Sequence, residues 1–331
     1  MLLVGLAVVM AWGVNTALGF LPPPSPTPPP SPVPQSTATP SLMPQLTATP
    51  SLVPQPTLTP TLAAGEFSGL SAMGFVADQL ALGPRWTGSE NGRKTADYII
   101  SRLRGFGWET EVQEFTYRGV GGRNIIAKAG TGPVAVIGAH YDTRRKADRD
   151  PDPSRRDEPV PGANDGASGV AVLMELARVL DTAKLTNEVW LTFFDAEDNG
   201  HLDGWEFSAG SEYMAASLST APEMVVVVDM IGDSDQNIYK ERNSTPGLLD
   251  HIWSIAASLG YEEQFVPEYG KAITDDHVPF LRRGYLAADV IDFDYPAWHT
   301  TQDTIDKVSP ASLERVGKVL QVLLERNASG P

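Results

Sequence analysis

The chain has 331 residues, 42% of them hydrophobic, which is enough for one large domain or two ordinary ones with a sizeable core. Its formal net charge of −16 argues against nucleic acid and anionic membrane surfaces as partners, because both attract basic patches. The sequence contains no cysteine, which excludes disulfides, thiolate metal sites and a cysteine nucleophile. Any bound zinc would therefore need His, Asp and Glu ligands.

Residues 1–21 carry no charged side chain and are long enough to span a bilayer as a helix, which takes roughly 20 residues. The segment predicts a signal peptide or an uncleaved membrane anchor, although the positive n-region of a signal peptide is missing. We therefore expect an exported protein, extracellular or membrane-anchored with its globular part outside. Contact with a membrane is expected only through residues 1–21. A buried core helix is the alternative, and the segment that follows argues against it.

Residues 22–65 consist mainly of Pro, Ser, Thr and Gln, and contain an imperfect repeat: QSTATPSLMP, QLTATPSLVP, QPTLTPTLAA. Such a segment cannot bury enough apolar surface to offset the entropy of ordering it. Proline favours extended conformations, so the composition predicts a disordered, semi-stiff stalk. The alternative is a proline-rich ligand for a recognition module.

Residues 66–331 predict one globular domain in which strands and helices alternate. Helices are predicted at 67–82, 90–106, 169–180, 204–218, 246–259 and 310–326, and strands at 109–117, 124–128, 134–138, 189–194, 224–228 and 286–293. From residue 134 onward this alternation favours a largely parallel sheet with helices on both faces. The charged, proline-rich residues 144–161 predict a long surface loop. The sequence has no P-loop, dinucleotide-binding glycine pattern or Gly-x-Ser-x-Gly elbow.

The stretch VWLTFFDAEDNG at 189–200 changes abruptly from a buried strand to acidic residues. In open α/β sheets, sites are built at the carboxyl ends of strands, where Glu197 and Asp198 would emerge. Two adjacent carboxylates repel each other, and a metal ion would compensate them. One could bind the ion while the other handles a proton beside it. The alternative is a polar strand end that caps the next helix.

Further polar side chains follow other predicted strands or turns, and each has a structural explanation when taken singly. Asp165, for example, could simply cap the helix it precedes. Together they form a nitrogen and oxygen ligand set suited to zinc: His140, Asp165, Asp198, Asp229 and His299. Asp165 in its glycine-rich turn is well placed to bridge two ions. Glu197 would be the general base, and Asp142 would orient the His140 imidazole.

Five motifs carry a specific resemblance: His-Tyr-Asp at 140–142, Gly-Ala-Asn-Asp-Gly-Ala-Ser-Gly at 162–169, Phe-Asp-Ala-Glu-Asp at 194–198, Val-Asp-Met-Ile-Gly at 228–232 and Trp-His-Thr-Thr-Gln-Asp-Thr at 298–304. In this order they resemble the zinc aminopeptidase family, which also contains the glutaminyl cyclases. The resemblance covers nearly all of residues 70–327. It implies a three-layer α/β/α sandwich with a mixed, mostly parallel central sheet.

The aminopeptidase pattern implies two zinc ions, the first on His140 and Asp229, the second on Asp198 and His299, with Asp165 bridging. Glu197 would be the base for hydrolysis at the N-termini of peptides or proteins. The family usually has two glutamates where this chain has Glu197 and Asp198. The motifs GAHYDT and GANDGASG favour hydrolysis, so a metallo-aminopeptidase is the main prediction.

The glutaminyl cyclase branch is the alternative, because DDHVPFLRRG at 275–284 and the Trp298–His299 pair resemble it more closely. A cyclase would use a single zinc, held by Asp165, Asp198 and His299. Glu197 would then shuttle a proton, and Asp229 would join a hydrogen-bond network with Asp275 or Asp276. A non-catalytic binding module on a stalk is a third hypothesis. It would require a lost ligand or base, and none is lost.

The substrate pocket is the least constrained part of the prediction. His201 and Trp205, in the NGHLDGWEF loop, are candidates for lining it, although loop packing would explain both residues equally well. The further candidates come from the two cyclase-like segments: Asp275, Asp276, His277 and Trp298.

Overall fold

The computed structural model describes residues 65–185 and 187–326. The predictions for residues 1–21, and for the stalk up to residue 64, lie outside the described residues. Within the described ranges no helix combines the length and the apolar character that crossing a membrane requires.

Seven α-helices and eight β-strands lie in the described ranges. The helices are α1 (Gly69–Leu82), α2 (Glu90–Gly105), α3 (Ala167–Val179), α4 (Ala209–Ser217), α5 (Pro246–Ser258), α6 (Val278–Leu281) and α7 (Pro310–Arg326). The strands are β1 (Glu109–Tyr117), β2 (Val120–Ala129), β3 (Val134–His140), β4 (Glu188–Phe194), β5 (Met224–Asp229), β6 (Ile238–Lys240), β7 (Phe265–Tyr269) and β8 (Ala287–Ile291).

Six strands form the central sheet in the order β1-β2-β4-β3-β5-β8. The pairs β1–β2 and β2–β4 are antiparallel, whereas β4–β3, β3–β5 and β5–β8 are parallel. Strands β6 and β7 form a separate small parallel sheet. The crossover connections between the parallel strands place helices over the sheet, and the carboxyl ends of β3, β4 and β5 meet at one edge.

Successive side chains of β5 point to opposite faces of the sheet, and each face has its own apolar core. Val226 and Val228 pack into a large cluster with residues of α1, α2, α3, α5 and α7. Val225 and Val227 pack into a smaller cluster with residues of α4 and α6. All residues of β3 and β5 are buried, as expected for strands covered on both faces. The predicted three-layer α/β/α sandwich with a mixed, mostly parallel sheet is confirmed.

The largest departure from the predicted elements is the helix expected at 204–218, which begins only at Ala209. Three residues before it, His201, Asp203 and Ser208, have left-handed backbone angles of 65°, 49° and 62°. A helix cannot include such residues, so this segment is a loop that folds back toward the edge of the sheet. The short elements β6, β7 and α6 have no counterpart among the predicted ones.

Candidate metal centre

The predicted ligands converge at the carboxyl edge of the sheet. His140 is the last residue of β3 and Asp229 the last of β5, while Asp165 lies in the turn before α3. Asp198 follows β4, and His299 comes from the segment after β8. All five side chains are buried. The topology therefore brings together residues that are up to 159 positions apart, from 140 to 299, at one point.

Three of them form what we call the first cluster: His140, Asp165 and Asp229. The Nε2 atom of His140 lies 3.1 Å from Oδ1 of Asp229 and 3.2 Å from Oδ1 of Asp165. Candidate ligand atoms of all three residues fall within 4.8 Å of one another, as they would around a metal ion.

The second cluster consists of Asp165, Asp198 and His299, and it shares Asp165 with the first. The Nε2 atom of His299 lies 2.9 Å from Oδ1 of Asp198 and 3.7 Å from Oδ2 of Asp165. Asp165 thus turns one oxygen toward each histidine, which is the geometry of a bridging carboxylate. The structure brings together all five side chains that the sequence predicts as ligands.

The turn that carries Asp165 is held by Asp303, a residue that the sequence prediction missed. Its two carboxylate oxygens accept hydrogen bonds from the backbone amides of Asn164, at 2.9 Å, and Asp165, at 3.1 Å. Gly166 completes the turn at φ = +84°, and a Cβ atom there would lie 2.8 Å from the carbonyl oxygen of His140. The sequence signal that could have identified Asp303 is its place at the end of the Trp-His-Thr-Thr-Gln-Asp motif.

Asp142 holds the turn after β4. Its carboxylate accepts hydrogen bonds from the backbone amides of Glu197, at 3.0 Å, and Asp198, at 3.3 Å. The predicted contact with His140 differs in detail, since Nδ1 of His140 lies 3.2 Å from the main-chain oxygen of Asp142 and 3.7 Å from its carboxylate. Ala196 in the same turn has φ = +61°, a conformation rare for residues other than glycine and often found at functional sites.

The two histidines have opposite electrostatic surroundings. Burial acts to lower the pKa of His140, but the charge of Asp229 and hydrogen bonds to Asp142, Asp165 and Asp229 raise it well above its usual value. Burial lowers the pKa of His299 to about 3, helped by Arg144 and opposed by Asp165. The His299 ring is also packed against Trp298, with the ring centroids 3.9 Å apart. His299 is therefore neutral, which is the form that binds metal.

The carboxylates show why the site fits a metal ion. Burial raises the pKa of Asp198 well above its usual value, and raises that of Asp229 to about 7. Oδ2 of Asp165 and Oδ2 of Asp198 are buried and have no hydrogen-bond partner among the described residues. Unpaired buried oxygens are costly, and a cation between them would satisfy them. With nitrogen and oxygen donors only, the residues present fit zinc.

Glu197 lies beside the two clusters and is buried. Its Oε1 atom accepts a hydrogen bond of 3.3 Å from the Ser208 hydroxyl. Burial raises the pKa of Glu197 well above its usual value, His140 opposes the rise, and Asp275 and Asp276 add to it. A carboxyl group with a raised pKa can accept and return a proton near neutral pH, which is the role of a general acid–base catalyst.

A cavity of about 670 Å³ opens over both clusters. Among the predicted pocket residues, His201, Asp275 and Trp298 line it, and the loop at 144–161 contributes Arg144, Asp148 and Arg149. The structure corrects the prediction for the other three residues: Trp205 packs edge-on against Tyr117 at 5.2 Å, whereas Asp276 and His277 are fully buried and do not line the cavity. Trp205 is part of a small apolar cluster with Phe115 and Ala209, which explains its position.

Residues 124–324 match the model of peptidase family M28. Bovine glutaminyl-peptide cyclotransferase is 28% identical, over 72% of this chain and 77% of that one. The solved glutaminyl cyclase of Porphyromonas gingivalis is 33% identical with a TM-score of 0.75, covering 80% of this chain and 100% of that one. A zinc-dependent exopeptidase from Parabacteroides distasonis is 30% identical with a TM-score of 0.74, covering 80% and 99%.

The fold and the buried site of histidines and carboxylates define a zinc enzyme of the exopeptidase and glutaminyl cyclase type. The chain belongs to peptidase family M28. The resemblance seen in the sequence motifs is thereby confirmed.

Proposed function

We propose that the chain is a zinc-dependent glutaminyl-peptide cyclotransferase, which cyclises an N-terminal glutaminyl residue and releases ammonia. The proposal reverses the order of the two sequence predictions, because the comparisons favour the predicted alternative over the aminopeptidase. The observation that carries it is the similarity to the P. gingivalis glutaminyl cyclase at 33% identity over the whole of that chain. The bovine cyclotransferase, matched over 77% of its length, adds support.

The second cluster supports a single zinc. Asp165, Asp198 and His299 supply three ligand atoms, which is the number typical of a catalytic zinc with an open position. When bound there, zinc would act as a Lewis acid on the side-chain amide of the substrate. In the first cluster His140 and Asp229 already contact each other at 3.1 Å, and Asp229 also accepts a hydrogen bond from the Met230 amide. The His140–Asp229 pair can therefore support the zinc site through hydrogen bonds.

Glu197 would move the proton that the reaction requires. The substrate α-amine attacks its own side-chain amide carbon, a new C–N bond forms, and the bond to the amide nitrogen breaks. Glu197 would take a proton from the attacking amine and deliver it to the departing nitrogen, which leaves as ammonia. No water is consumed. Asp275, which lines the cavity, would accept a hydrogen bond from the neutral attacking amine and orient it.

An aminopeptidase is the second candidate, and one observation favours it. The first cluster is a complete ligand set in its own right, and Asp165 has one oxygen directed to each cluster. Two ions held in this way would act on the carbonyl of the first peptide bond, with Glu197 as the base for a water nucleophile. The similarity to the P. distasonis exopeptidase is consistent with this candidate.

Mass spectrometry of two matched peptides tests the proposal. One peptide begins with glutamine and the other with leucine, and both are otherwise identical. We expect the zinc-loaded chain to convert the first to a product lighter by one ammonia and to leave the second unchanged. Release of the free first residue from either peptide, without ammonia loss, would establish the aminopeptidase instead. Glu197→Gln is the control for activity from a contaminating enzyme.

We also propose that the chain is exported, with the catalytic domain outside the cell. Support comes from the uncharged residues 1–21 and the proline-rich residues 22–65 that follow. Expression of the full chain followed by fractionation tests this proposal. Catalytic domain protected from externally added protease in intact cells would contradict it.

A further inference from the structure

A groove of about 740 Å³ adjoins the cavity over the two clusters. The groove is also lined by Ser208, whose hydroxyl donates to Glu197. Groove and cavity share five lining residues: Glu206, Phe207, Thr274, Asp275 and Arg282. The groove therefore continues the candidate active site, and a substrate longer than one residue can extend from the cavity into it.

The boundary between cavity and groove carries one acceptor group and one donor group that are free to bind a peptide. Glu206 and Arg282 are exposed, and their side chains form no hydrogen bond or ion pair with any residue that the structure describes. Each non-proline residue of an extended peptide presents one backbone N–H and one C=O. The carboxylate can accept from such an N–H, and the guanidinium can donate to such a C=O.

Beyond this boundary the wall of the groove is aromatic. Phe115 of β1 and Tyr213 of α4 stack, with their ring centroids 5.4 Å apart and their planes at 24°. Phe115 is buried, whereas Tyr213 is 45% exposed. Because Phe115 already holds the Tyr213 ring, an apolar side chain that packs on this ring orders little else. It also removes apolar surface from water, which favours binding.

The remaining lining makes an apolar occupant more favourable than a charged one. Ala216 of α4 and Pro279 of α6 add apolar surface to the groove. Two charged residues also line it, but Nη2 of Arg283 lies 2.8 Å from Oε1 of Glu212, so these two charges compensate each other. The aromatic wall is therefore best matched by a large apolar side chain.

We propose that this groove binds the substrate residues that follow the N-terminal one, and that it selects peptides with an aromatic side chain placed to pack on Tyr213. The inference rests on the proposed function in one respect, namely that the substrate is the N-terminus of a peptide. An aminopeptidase would use the groove in the same way. The first residue would occupy the cavity over the clusters, and the chain would leave it between Glu206 and Arg282.

A phenylalanine scan tests the groove on the zinc-loaded full chain. The reference peptide is glutamine followed by four alanines, and phenylalanine replaces each alanine in turn. We expect one position to lower KM about 10-fold, because the ring leaves water, while kcat stays nearly unchanged, because the contact lies away from the reacting atoms. In Tyr213→Ala this gain should disappear. Tyr213→Phe keeps the ring and should retain the gain.

Two further variants make the test specific to the groove. Tyr269→Ala is the matched control, because Tyr269 is 44% exposed and lines a separate hollow of about 200 Å³. It should keep the gain. Ala216→Glu puts a charge against the apolar wall and leaves both rings in place, so it should reduce the gain and remains informative if Tyr213→Ala does not fold.

Equal KM values for all five peptides would overturn the groove, and so would a gain that survives in both Tyr213→Ala and Ala216→Glu. A gain that is lost in Tyr269→Ala instead would place the peptide in the smaller hollow and also overturn the proposal. If no peptide releases ammonia, the proposed function fails separately. The dissociation constants of the same peptides, measured with zinc-loaded Glu197→Gln, then show whether the position-dependent gain exists.

Discussion

The first and second clusters share Asp165 and the same ligand types, yet their surroundings shift the pKa values of the two histidines in opposite directions. His140 has carboxylate oxygens at 3.1 and 3.2 Å, and its pKa is raised despite its burial. His299 has one carboxylate at 2.9 Å, but burial and Arg144 lower its pKa to about 3. Identical residue types therefore acquire different chemistry from their neighbours. The second cluster presents a neutral ligand, whereas in the first His140 and Asp229 already contact each other at 3.1 Å.

Loss of either histidine gives the largest expected contrast between the clusters. We expect His299→Ala to lose the catalytic zinc and about 10³-fold or more in kcat/KM, since it removes a ligand of the metal that activates the substrate. His140→Ala should keep that zinc and lose about 10- to 100-fold, the effect typical of a supporting residue. Zinc content and turnover of a glutaminyl peptide are the measurements. Equal losses of zinc and activity in both variants would favour the two-zinc aminopeptidase.

Glu197→Gln separates proton transfer from metal binding. The amide has nearly the same shape but cannot accept a proton, so we expect kcat to fall by about 10²- to 10⁴-fold. Zinc content should stay at the wild-type value in this variant, because Glu197 belongs to neither cluster. Near-wild-type turnover in Glu197→Gln would show that Glu197 takes no part in the mechanism. Ser208→Ala, which deletes the hydroxyl that donates to Glu197, should lower kcat less than Glu197→Gln does.

Asp303→Asn tests the support that both clusters share. One carboxylate oxygen would be replaced by an amide donor facing a backbone N–H, which would loosen the turn that carries Asp165. We expect zinc to bind about 10- to 100-fold more weakly, as measured by competition with a chelator. Tyr295→Phe removes only the phenol that donates to Asp303, so it serves as the milder control. Unchanged zinc affinity in Asp303→Asn would show that the turn holds without it.

The stability of the metal-free chain should change with pH in a direction set by its buried acids. Asp229 has a folded-state pKa of about 7, well above the usual 3.8 of an aspartate, because of burial. The folded chain therefore binds more protons than the unfolded chain between these values, and stability falls as pH rises through about 7. We expect the Tm of the metal-free chain to be several degrees lower at pH 8 than at pH 5.5. A Tm that rises between pH 5.5 and pH 8 would contradict the raised pKa of Asp229. Saturating zinc should reduce the Tm difference between these two pH values.

The individual elements show where sequence reasoning succeeds. Alternation of apolar strands and amphipathic helices depends on local periodicity, so strands such as β1 and helices such as α2 were predicted within a residue or two. The helix expected at 204–218 was wrong at its start, because Ser208 has a left-handed backbone angle of 62° that a helix cannot include. Trp205 follows the packing alternative that the sequence left open, and its partner Tyr117 belongs to a distant strand.

The sequence by itself determined the fold class, the family and the five candidate ligands, since each follows from residues within one short motif or from a local period. The family resemblance also implied how they pair, and the tertiary structure shows His140–Asp229 and Asp198–His299 as contacts between distant segments. Only the tertiary structure decided the Asp303 contact to the Asp165 turn and the contact of His277 with Glu241. Hydrogen bonds, burial and pKa shifts depend on distances between chain segments. Those distances exist only once the sheet and its connections have formed.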